Sequence, residues 1–212
     1  MKGNKLAFFL LLVLVFEILF FTATEANPWW SSGRRRRRRR QCSSSRPAGV
    51  AWVNGWQQYF SVKCGNSCSI TTWRSIHRNC KEDRIHYFQC SYGPMSYQEK
   101  DCSHTANYAN DYDGKLSFKC PHNGFIAGVR STYSGHHRDR KFSFRCCHKD
   151  GYCAHTCKLT PTLNNWDQEI NYSVPRGYYL VGAHSSHHNY YGDRKWKFEI
   201  CEFTKSKHCK GK

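Results

Sequence analysis

The sequence predicts an all-β protein with three tandem repeats of about 55 residues in one compact, disulfide-rich, pseudo-threefold domain. Its 212 residues include 13 cysteines. Beyond Val50, aromatic residues alternate with polar ones, and no stretch keeps helical periodicity, which is typical of short strands. One phrase, Asp-Arg followed by alternating aromatic residues, occurs three times: EDRIHYFQC at 82–90, RDRKFSFRC at 138–146 and GDRKWKFEIC at 192–201.

The repeat continues beyond the phrase itself. The aspartates of the phrase, Asp83, Asp139 and Asp193, are 56 and 54 residues apart. The same offset before each aspartate gives Cys64, Cys120 and Val174, and a larger shared offset gives the aromatic residues Trp56, Tyr112 and Trp166. We therefore predict repeats over about 52–92, 108–148 and 162–203.

Alternation along each phrase assigns its side chains to two faces of a strand. The inward set is Arg84, His86, Phe88 and Cys90 in the first phrase, Arg140, Phe142, Phe144 and Cys146 in the second, and Arg194, Trp196, Phe198 and Ile200 in the third. Each Asp-Arg pair could bind a sulfate or carboxylate, since a guanidinium contacts such groups in a bidentate manner. Recurrence at a fixed offset instead favours a scaffold in which the aspartate caps a turn and pairs with a nearby arginine.

The N-terminal residues predict export from the cell. Lysines precede an apolar run over 6–21, which is typical of a signal peptide spanning 1–26 and cut after Ala26. A retained anchor is the alternative, although the run is shorter than a spanning helix needs. Residues 27–49 are expected to form a disordered, arginine-rich tail, and residues 50–210 the folded domain.

Charge indicates the class of partner. The formal net charge is +18; residues 1–26 contribute zero and the seven arginines contribute +7, which leaves +11 on the rest. Outside the cell, a basic domain meets sulfated or carboxylated polymers rather than nucleic acid. The arginine tract either binds such polymers, is cut as part of a propeptide or is merely solvated. Its residues are Arg34, Arg35, Arg36, Arg37, Arg38, Arg39 and Arg40.

Cysteine pairs follow from the third repeat, which differs from the other two. Val174 and Ile200 stand where the other repeats have cysteines, so the two positions are expected to face each other. Cysteines outside the phase of the repeat are paired with the remaining ones. The predicted bonds are Cys64–Cys90, Cys120–Cys146, Cys102–Cys147, Cys157–Cys201, Cys153–Cys209 and Cys68–Cys80; the partners of Cys146 and Cys147 could be exchanged. Cys42 is left over, so it is either free or joins two chains.

Other reactive residue types give weaker signals. His136-His137 and His187-His188 precede two of the phrases and suggest metal binding, but the first repeat has only His77 near that place. We therefore predict no metal site and no cofactor. No nucleophile and base arrangement stands out, so we predict no catalytic residues. Asn171 begins a glycosylation sequon and is expected in a surface loop.

The three phrases, the segment FRCCHKDGYCAHTCKLT at 144–160 and the closing DRKWKFEIC resemble the dermatopontin family over about 52–209. The resemblance implies a secreted, non-enzymatic matrix protein with proteoglycan, collagen-fibril and cell-surface partners; relatives from invertebrates include haemagglutinins. The N-terminus departs from the acidic, tyrosine-rich one of vertebrate members. Our leading hypothesis is a matrix protein that binds sulfated glycosaminoglycan and helps to organise collagen-like fibrils and cell adhesion. The alternative is a lectin-like agglutinin of innate defence.

Overall fold

The computed structural model describes residues 42–65, 68–92 and 101–206, and all of their regular structure is β-strand. The chain divides into two units, Met1–Cys42 and Ser43–Lys212, and all described residues except Cys42 lie in the second. Within the described ranges, no helix has the length and apolar character that crossing a membrane requires. The predicted signal peptide and arginine tract lie outside these ranges.

Eleven strands form three antiparallel sheets over the described residues. The strands are β1 (Phe60–Lys63), β2 (Cys68–Arg78), β3 (Asp83–Tyr92), β4 (Asp101–His104), β5 (Leu116–Lys119), β6 (Phe125–Ser134), β7 (Asp139–His148), β8 (Tyr152–Leu159), β9 (Ile170–Ser173), β10 (Tyr178–His188) and β11 (Asp193–Lys205). The three phrases begin β3, β7 and β11. The all-β prediction is therefore confirmed.

Each sheet is built around one hairpin whose second strand begins with the phrase. We call the sheets first, second and third after their phrases: their strand orders are β3-β2-β9, β1-β6-β7-β4 and β5-β10-β11-β8. The short edge strand beside each hairpin comes from a distant part of the chain. β1 precedes the first hairpin yet pairs with the second, β5 pairs with the third, and β9 returns to pair with the first. No sheet is therefore contiguous in sequence.

A bulge in each hairpin receives the incoming edge strand. The register shifts at Thr71, Ala127 and Val181. The carbonyl of each bulged residue accepts a hydrogen bond of 2.8–2.9 Å from the backbone N–H at the end of the edge strand, in Val174, Cys64 and Cys120 respectively. A bulge leaves one residue outside the ladder, so its carbonyl is available to fix the neighbouring strand.

The inward faces of the phrases form the core, as the alternation predicts. Phe142, Phe144, Trp196 and Phe198 are at most 1% exposed. Trp73 from β2 packs among them, with its ring centroid 5.2 Å from that of Trp196 and 4.9 Å from that of Phe198. Each such side chain contributes roughly 1.5–3 kcal/mol to folding by leaving water.

The disulfides of the described residues include Cys64–Cys90, Cys120–Cys146, Cys102–Cys147 and Cys157–Cys201. These are pairs that the repeat comparison predicts. At the places that match these cysteines around the third phrase, Ile200 is buried and Val174 is partly buried against the core. The structure thus forms Cys120–Cys146 and Cys102–Cys147 rather than the exchanged pairs.

The predicted Cys68–Cys80 bond is wrong, and the leftover cysteine is a different one. Cys68 is a free thiol, whereas Cys80 and Cys42 are both disulfide-bonded. Cys68 begins β2 opposite Tyr92 at the end of the hairpin, while Cys80 lies in the turn at its other end, so one bond cannot join them. A chain-linking role for Cys42 loses its basis. Cys153 is disulfide-bonded, but Cys209 lies outside the described residues.

The packed unit begins earlier than the predicted boundary at Val50. Two indole N–H groups take their acceptors from the preceding segment: Trp52 Nε1 donates to the Pro47 carbonyl over 3.0 Å, and Trp56 Nε1 donates to the Ser45 carbonyl over 3.3 Å. With Ile85 these tryptophans form a second buried cluster over the first sheet. Residues from Ser43 onward therefore belong to the fold rather than to the tail.

Candidate functional site

The three Asp-Arg phrases meet in a closed ring of ion pairs. Arg84 donates from Nε and Nη2 to Asp193 over 2.5 and 2.8 Å. Arg140 does the same to Asp83 over 2.6 and 2.8 Å, and Arg194 to Asp139 over 2.6 Å for both bonds. All six residues are at most 4% exposed. Each arginine thus pairs with the aspartate of another phrase, not with the one beside it.

The aspartates also hold the segments that precede the edge strands. The Oδ2 atom of each aspartate, which already accepts from an arginine Nη2, also accepts a backbone N–H from a residue with positive φ. The donor is Gln57 for Asp83, Asp113 for Asp139 and Asp167 for Asp193, over 2.5–2.8 Å. A left-handed backbone at a non-glycine residue costs free energy, and these bonds offset it. The ring therefore joins hairpins and connecting segments in one buried polar network.

Three asparagines complete this network, and the sequence analysis missed them. Asn54, Asn110 and Asn164 each donate to the carbonyl of the phrase arginine and accept the N–H two residues further along, all within 2.8–3.1 Å. Their side chains replace a strand partner for the phrase backbone. The signal was available, because each asparagine stands 29 residues before its phrase aspartate.

The ring is occupied by its own partners, so it is a scaffold and not an open anion site. Over it lies a small pocket bordered by His86, Trp196 and the turn residues Glu82, Arg138 and Gly192. Arg138 donates to Glu82 over 2.9 Å across its mouth. Burial lowers the pKa of His86 well below its usual range, with Arg140 and Arg84 adding to the shift, so this histidine is neutral.

The three hairpin turns converge at this mouth. Glu82, Arg138 and Gly192 occupy matching positions with φ of 49°, 52° and 55°. A Cβ atom at Gly192 would lie 2.9 Å from the Glu82 Cβ. Glutamate and arginine adopt the same left-handed backbone at the other two turns, so it is the close approach of the first turn that requires glycine at 192.

A basic groove crosses the third sheet on β5, β10 and β11, with an open volume of about 620 Å³. Its cationic residues are Lys115, Lys195 and Lys197, joined by His184. Hydroxyl groups line the rest of the groove, in Ser117, Ser185, Ser186 and Thr162. Among the described residues, no carboxylate forms an ion pair with any of these three lysines. The groove thus offers uncompensated positive charge beside many hydrogen-bonding groups.

An aromatic cluster adjoins the groove at Lys195. The Lys195 Nζ lies 4.7 Å from the ring centroid of Trp166, and Trp166 stacks on Tyr191 at 5.3 Å with 10° between the planes. Tyr190, which is 81% exposed, packs edge-on against Tyr191. A partly exposed aromatic cluster next to a cation suits a ligand with both apolar and anionic groups.

The corresponding places on the other two sheets carry no lysine that is free of a carboxylate partner. The place of Lys115 holds Tyr59 in the second sheet and Glu169 in the first. The place of Lys195 holds Lys141 and Ile85, respectively. The place of Lys197 holds Ser143 and Tyr87. Lys141 is paired with Asp111 over 2.8 Å. Ile85 is buried in the cluster formed with Trp52 and Trp56. Because the scaffold tolerates other residues at these places, the lysines of the third sheet are not required by the fold.

Other predicted sites have mixed outcomes. The tract Arg34–Arg40 lies outside the described residues, so its role stays a prediction. Asn171 is exposed, but it lies on the edge strand β9 rather than in a loop. The aspartate and the arginine of each phrase all lie in the ring. The sequence analysis did not identify Lys115, Lys195 or Lys197, because they lie on two segments that only the strand pairing brings together.

Comparisons with known proteins give one family. A family model described as Dermatopontin matches residues 54–205. The hemagglutinin/amebocyte aggregation factor of Limulus polyphemus is 38% identical over 153 residues, which cover 71% of this chain and 87% of that protein. Dermatopontin of Biomphalaria glabrata is 31% identical, covering 72% of this chain and 100% of the relative. Dermatopontin of Bos taurus is 32% identical, covering 72% and 77%. No solved structure gives a significant match.

Proposed function

The chain belongs to the dermatopontin family, and we propose that it is a secreted, non-enzymatic matrix protein that binds sulfated or carboxylated polysaccharides of proteoglycans. The observation that carries this proposal is the groove with Lys115, Lys195 and Lys197, which no carboxylate neutralises among the described residues. In this proposal the ligand bridges the protein to collagen-like fibrils and to cell surfaces, and thereby organises the matrix.

Electrostatics explains why such a groove favours a polyanion over a neutral sugar. Binding to a charged polymer releases condensed counterions, and this release makes the affinity strongly dependent on salt. The serine and threonine hydroxyls can accept from and donate to sugar hydroxyls, while Trp166 and Tyr191 offer apolar ring faces to a pyranose. The proposed contribution of Arg34–Arg40 would add to the same attraction without shaping the site.

Chromatography on immobilised heparin and dermatan sulfate tests this proposal. The full mature chain is compared with a chain that lacks Arg34–Arg40, and both are eluted with a salt gradient. We expect both to bind at low salt, with the truncated chain eluting earlier. If the full chain passes through at low salt, the proposal is wrong. If only the truncated chain passes through, the affinity belongs to the tract and not to the groove.

A second candidate function is a soluble agglutinin. It is favoured by the name of the Limulus relative and by Tyr190, which is 81% exposed beside Trp166 and Tyr191 and could stack on a sugar ring. Cell agglutination with inhibition by simple neutral sugars would support this function. Inhibition by heparin and by salt, with no effect of neutral sugars, would support the matrix function.

The proposal also covers the cleavage, the repeat organisation and the covalent modification of the chain. We infer removal of residues 1–26, three repeats over about 52–92, 108–148 and 162–203, a Cys153–Cys209 bond and glycosylation at Asn171. Support for threefold organisation comes from the matched bulges, edge strands and ring contacts. N-terminal sequencing of the secreted protein and mapping of its disulfide-linked and glycosylated peptides test these points together.

A further inference from the structure

Two of the histidine pairs meet at one carboxylate, although they are 50 residues apart in sequence. Nδ1 of His137 lies 2.8 Å from Oδ2 of Asp113, and Nδ1 of His187 lies 3.2 Å from Oδ1 of the same side chain. Asp139 stands behind them, with its Oδ1 3.9 Å from Nε2 of His187. Asp113 thus contacts both imidazoles, His137 at one carboxylate oxygen and His187 at the other.

His187 is the member that its surroundings do not explain. Its side chain is only 1% exposed, and neither ring nitrogen has a hydrogen-bond partner among the described residues. The 3.2 Å contact with Asp113 lacks hydrogen-bond geometry, so it does not satisfy the nitrogen. A buried polar atom without a partner costs roughly 1–3 kcal/mol, which indicates a missing ligand.

We propose that Asp113, His137 and His187 bind a divalent transition metal ion such as Zn²⁺, with solvent in the remaining position. Imidazole nitrogen and carboxylate oxygen are ligands that Zn²⁺ favours, at about 2.0–2.2 Å each. Tetrahedral ligands at these lengths are roughly 3.3 Å apart, close to the 3.2 Å between His187 and Asp113. Ligand atoms of Asp113, Asp139 and His187 all lie within 4.8 Å of one another.

The local charges permit a dication. Asp139 is neutralised by its bidentate partner Arg194, which leaves the charge of Asp113 for the metal. Asp113 and His137 are 37% and 38% exposed, so an ion can reach the site from solvent. Asp139 then acts behind the metal ligands, where it orients His187 through the nearby Nε2.

The matching places between the other hairpins serve as internal comparisons. One has His77, Asp167 and Asp193, but both ring nitrogens of His77 already contact oxygen atoms, of Asn79 and of the Gly192 carbonyl. Tyr191 stands there in place of the second histidine. The remaining place has Tyr133, Gln57 and Lys81 instead of metal ligands. Only the site at Asp113 combines two histidines with an unpartnered buried nitrogen in the described residues.

Equilibrium dialysis of the full mature chain against Zn²⁺, with metal content measured by mass spectrometry, tests the proposal. We expect one tightly bound ion per chain. The variants His137→Ala and Asp113→Asn should each weaken this ion by tenfold or more; both positions are partly exposed, and asparagine suits the left-handed backbone at 113. The matched controls are His136→Ala and His188→Ala, exposed neighbours outside the site, which should keep the ion.

A second readout separates ligation from a change in folding. Co²⁺ should give the strong visible absorption of a tetrahedral site with the wild-type chain and the controls, and lose it in the two ligand variants, while all chains keep the same unfolding temperature without metal. Absence of a tight ion in the wild type would overturn the proposal. So would an ion that survives both His137→Ala and Asp113→Asn. The outcome is independent of polysaccharide binding.

Discussion

The buried Asp-Arg ring and the basic groove follow opposite rules of repetition. The ring uses the same residues in all three phrases, each with the same partners and distances. The groove is basic on the third sheet alone, and the corresponding places on the first and second sheets hold Ile85 and an ion-paired Lys141. A residue that the scaffold needs recurs wherever the scaffold recurs. A residue that serves a ligand is free to occur once.

Breaking the ring should have the largest effect on stability. Asp139→Ala leaves the buried Arg194 guanidinium without its carboxylate and frees the Asp113 N–H. Removing one partner of a buried pair costs about 3–5 kcal/mol. Denaturant unfolding of the wild type and the variant measures this loss. The matched control is Asp111→Ala, whose 92%-exposed carboxylate pairs with Lys141 and should change the free energy of unfolding very little, because solvent screens the pair. Equal losses at both positions would contradict the scaffold role.

Replacing one disulfide by the apolar residues found at the matching places of the third phrase should cost less. The double variant Cys120→Val with Cys146→Ile reproduces the pair Val174 and Ile200, which packs against the core without a bond. We expect the variant to fold and to lose about 2–4 kcal/mol, since a disulfide mainly restricts the unfolded chain. Denaturant unfolding checks the value. A chain that fails to fold would show that the two places do not have equivalent packing.

The histidine of the first phrase should make stability depend on pH. Burial, with Arg140 and Arg84, holds the folded-state pKa of His86 below the value near 6.5 of the unfolded chain. Below about pH 6.5 the unfolded state then binds the extra proton, so stability falls with acidity by up to about 1.4 kcal/mol per pH unit. His86→Phe, which copies Phe142, should flatten this part of the profile. Denaturant unfolding between pH 5 and 8 compares the two chains, and parallel profiles would contradict this account.

Cys68 should give the smallest change. It is a free thiol, so Cys68→Ser should alter the free energy of unfolding by less than about 0.5–1 kcal/mol. Alkylation of the native, unreduced protein should label the peptide that contains Cys68 and leave Cys42 and Cys80 unlabelled. An unlabelled Cys68 would support the Cys68–Cys80 bond that the sequence analysis expected, and a label on Cys80 would show that Cys80 is reduced.

The sequence predicted the strands of the phrases and their inward faces because period-two alternation is local. It also predicted the pairs that involve Cys64 and Cys120, since Val174 and Ile200 vary together. It could not predict that Arg84 pairs with Asp193, because the two residues are 109 positions apart. The strand pairing that brings their hairpins together is not visible in the local sequence. Cys68 was mispaired for the opposite reason: proximity in sequence was taken for proximity in space, although a full hairpin length separates it from Cys80.

The same limitation applies to the groove and to the histidines. Lys115 and Lys195 meet only because β5 pairs with β10 of a later hairpin. His137 and His187 belonged to pairs that were set aside as a metal site, since the first repeat lacks a match. Repetition is evidence for a scaffold, and its absence was read as evidence against function. Our two proposals reverse that inference, because both assign ligands to places that differ between the copies.

The affinity of the groove for heparin, measured against salt, tests the central claim most directly. The triple variant Lys115→Gln, Lys195→Gln, Lys197→Gln is compared with a matched control in which Lys149, Lys158 and Lys205 are replaced by Gln, both in a chain without Arg34–Arg40. The two variants lose the same charge. We predict that the slope of log affinity against log salt falls by about three in the groove variant and much less in the control. Equal slopes in the two variants would contradict the account.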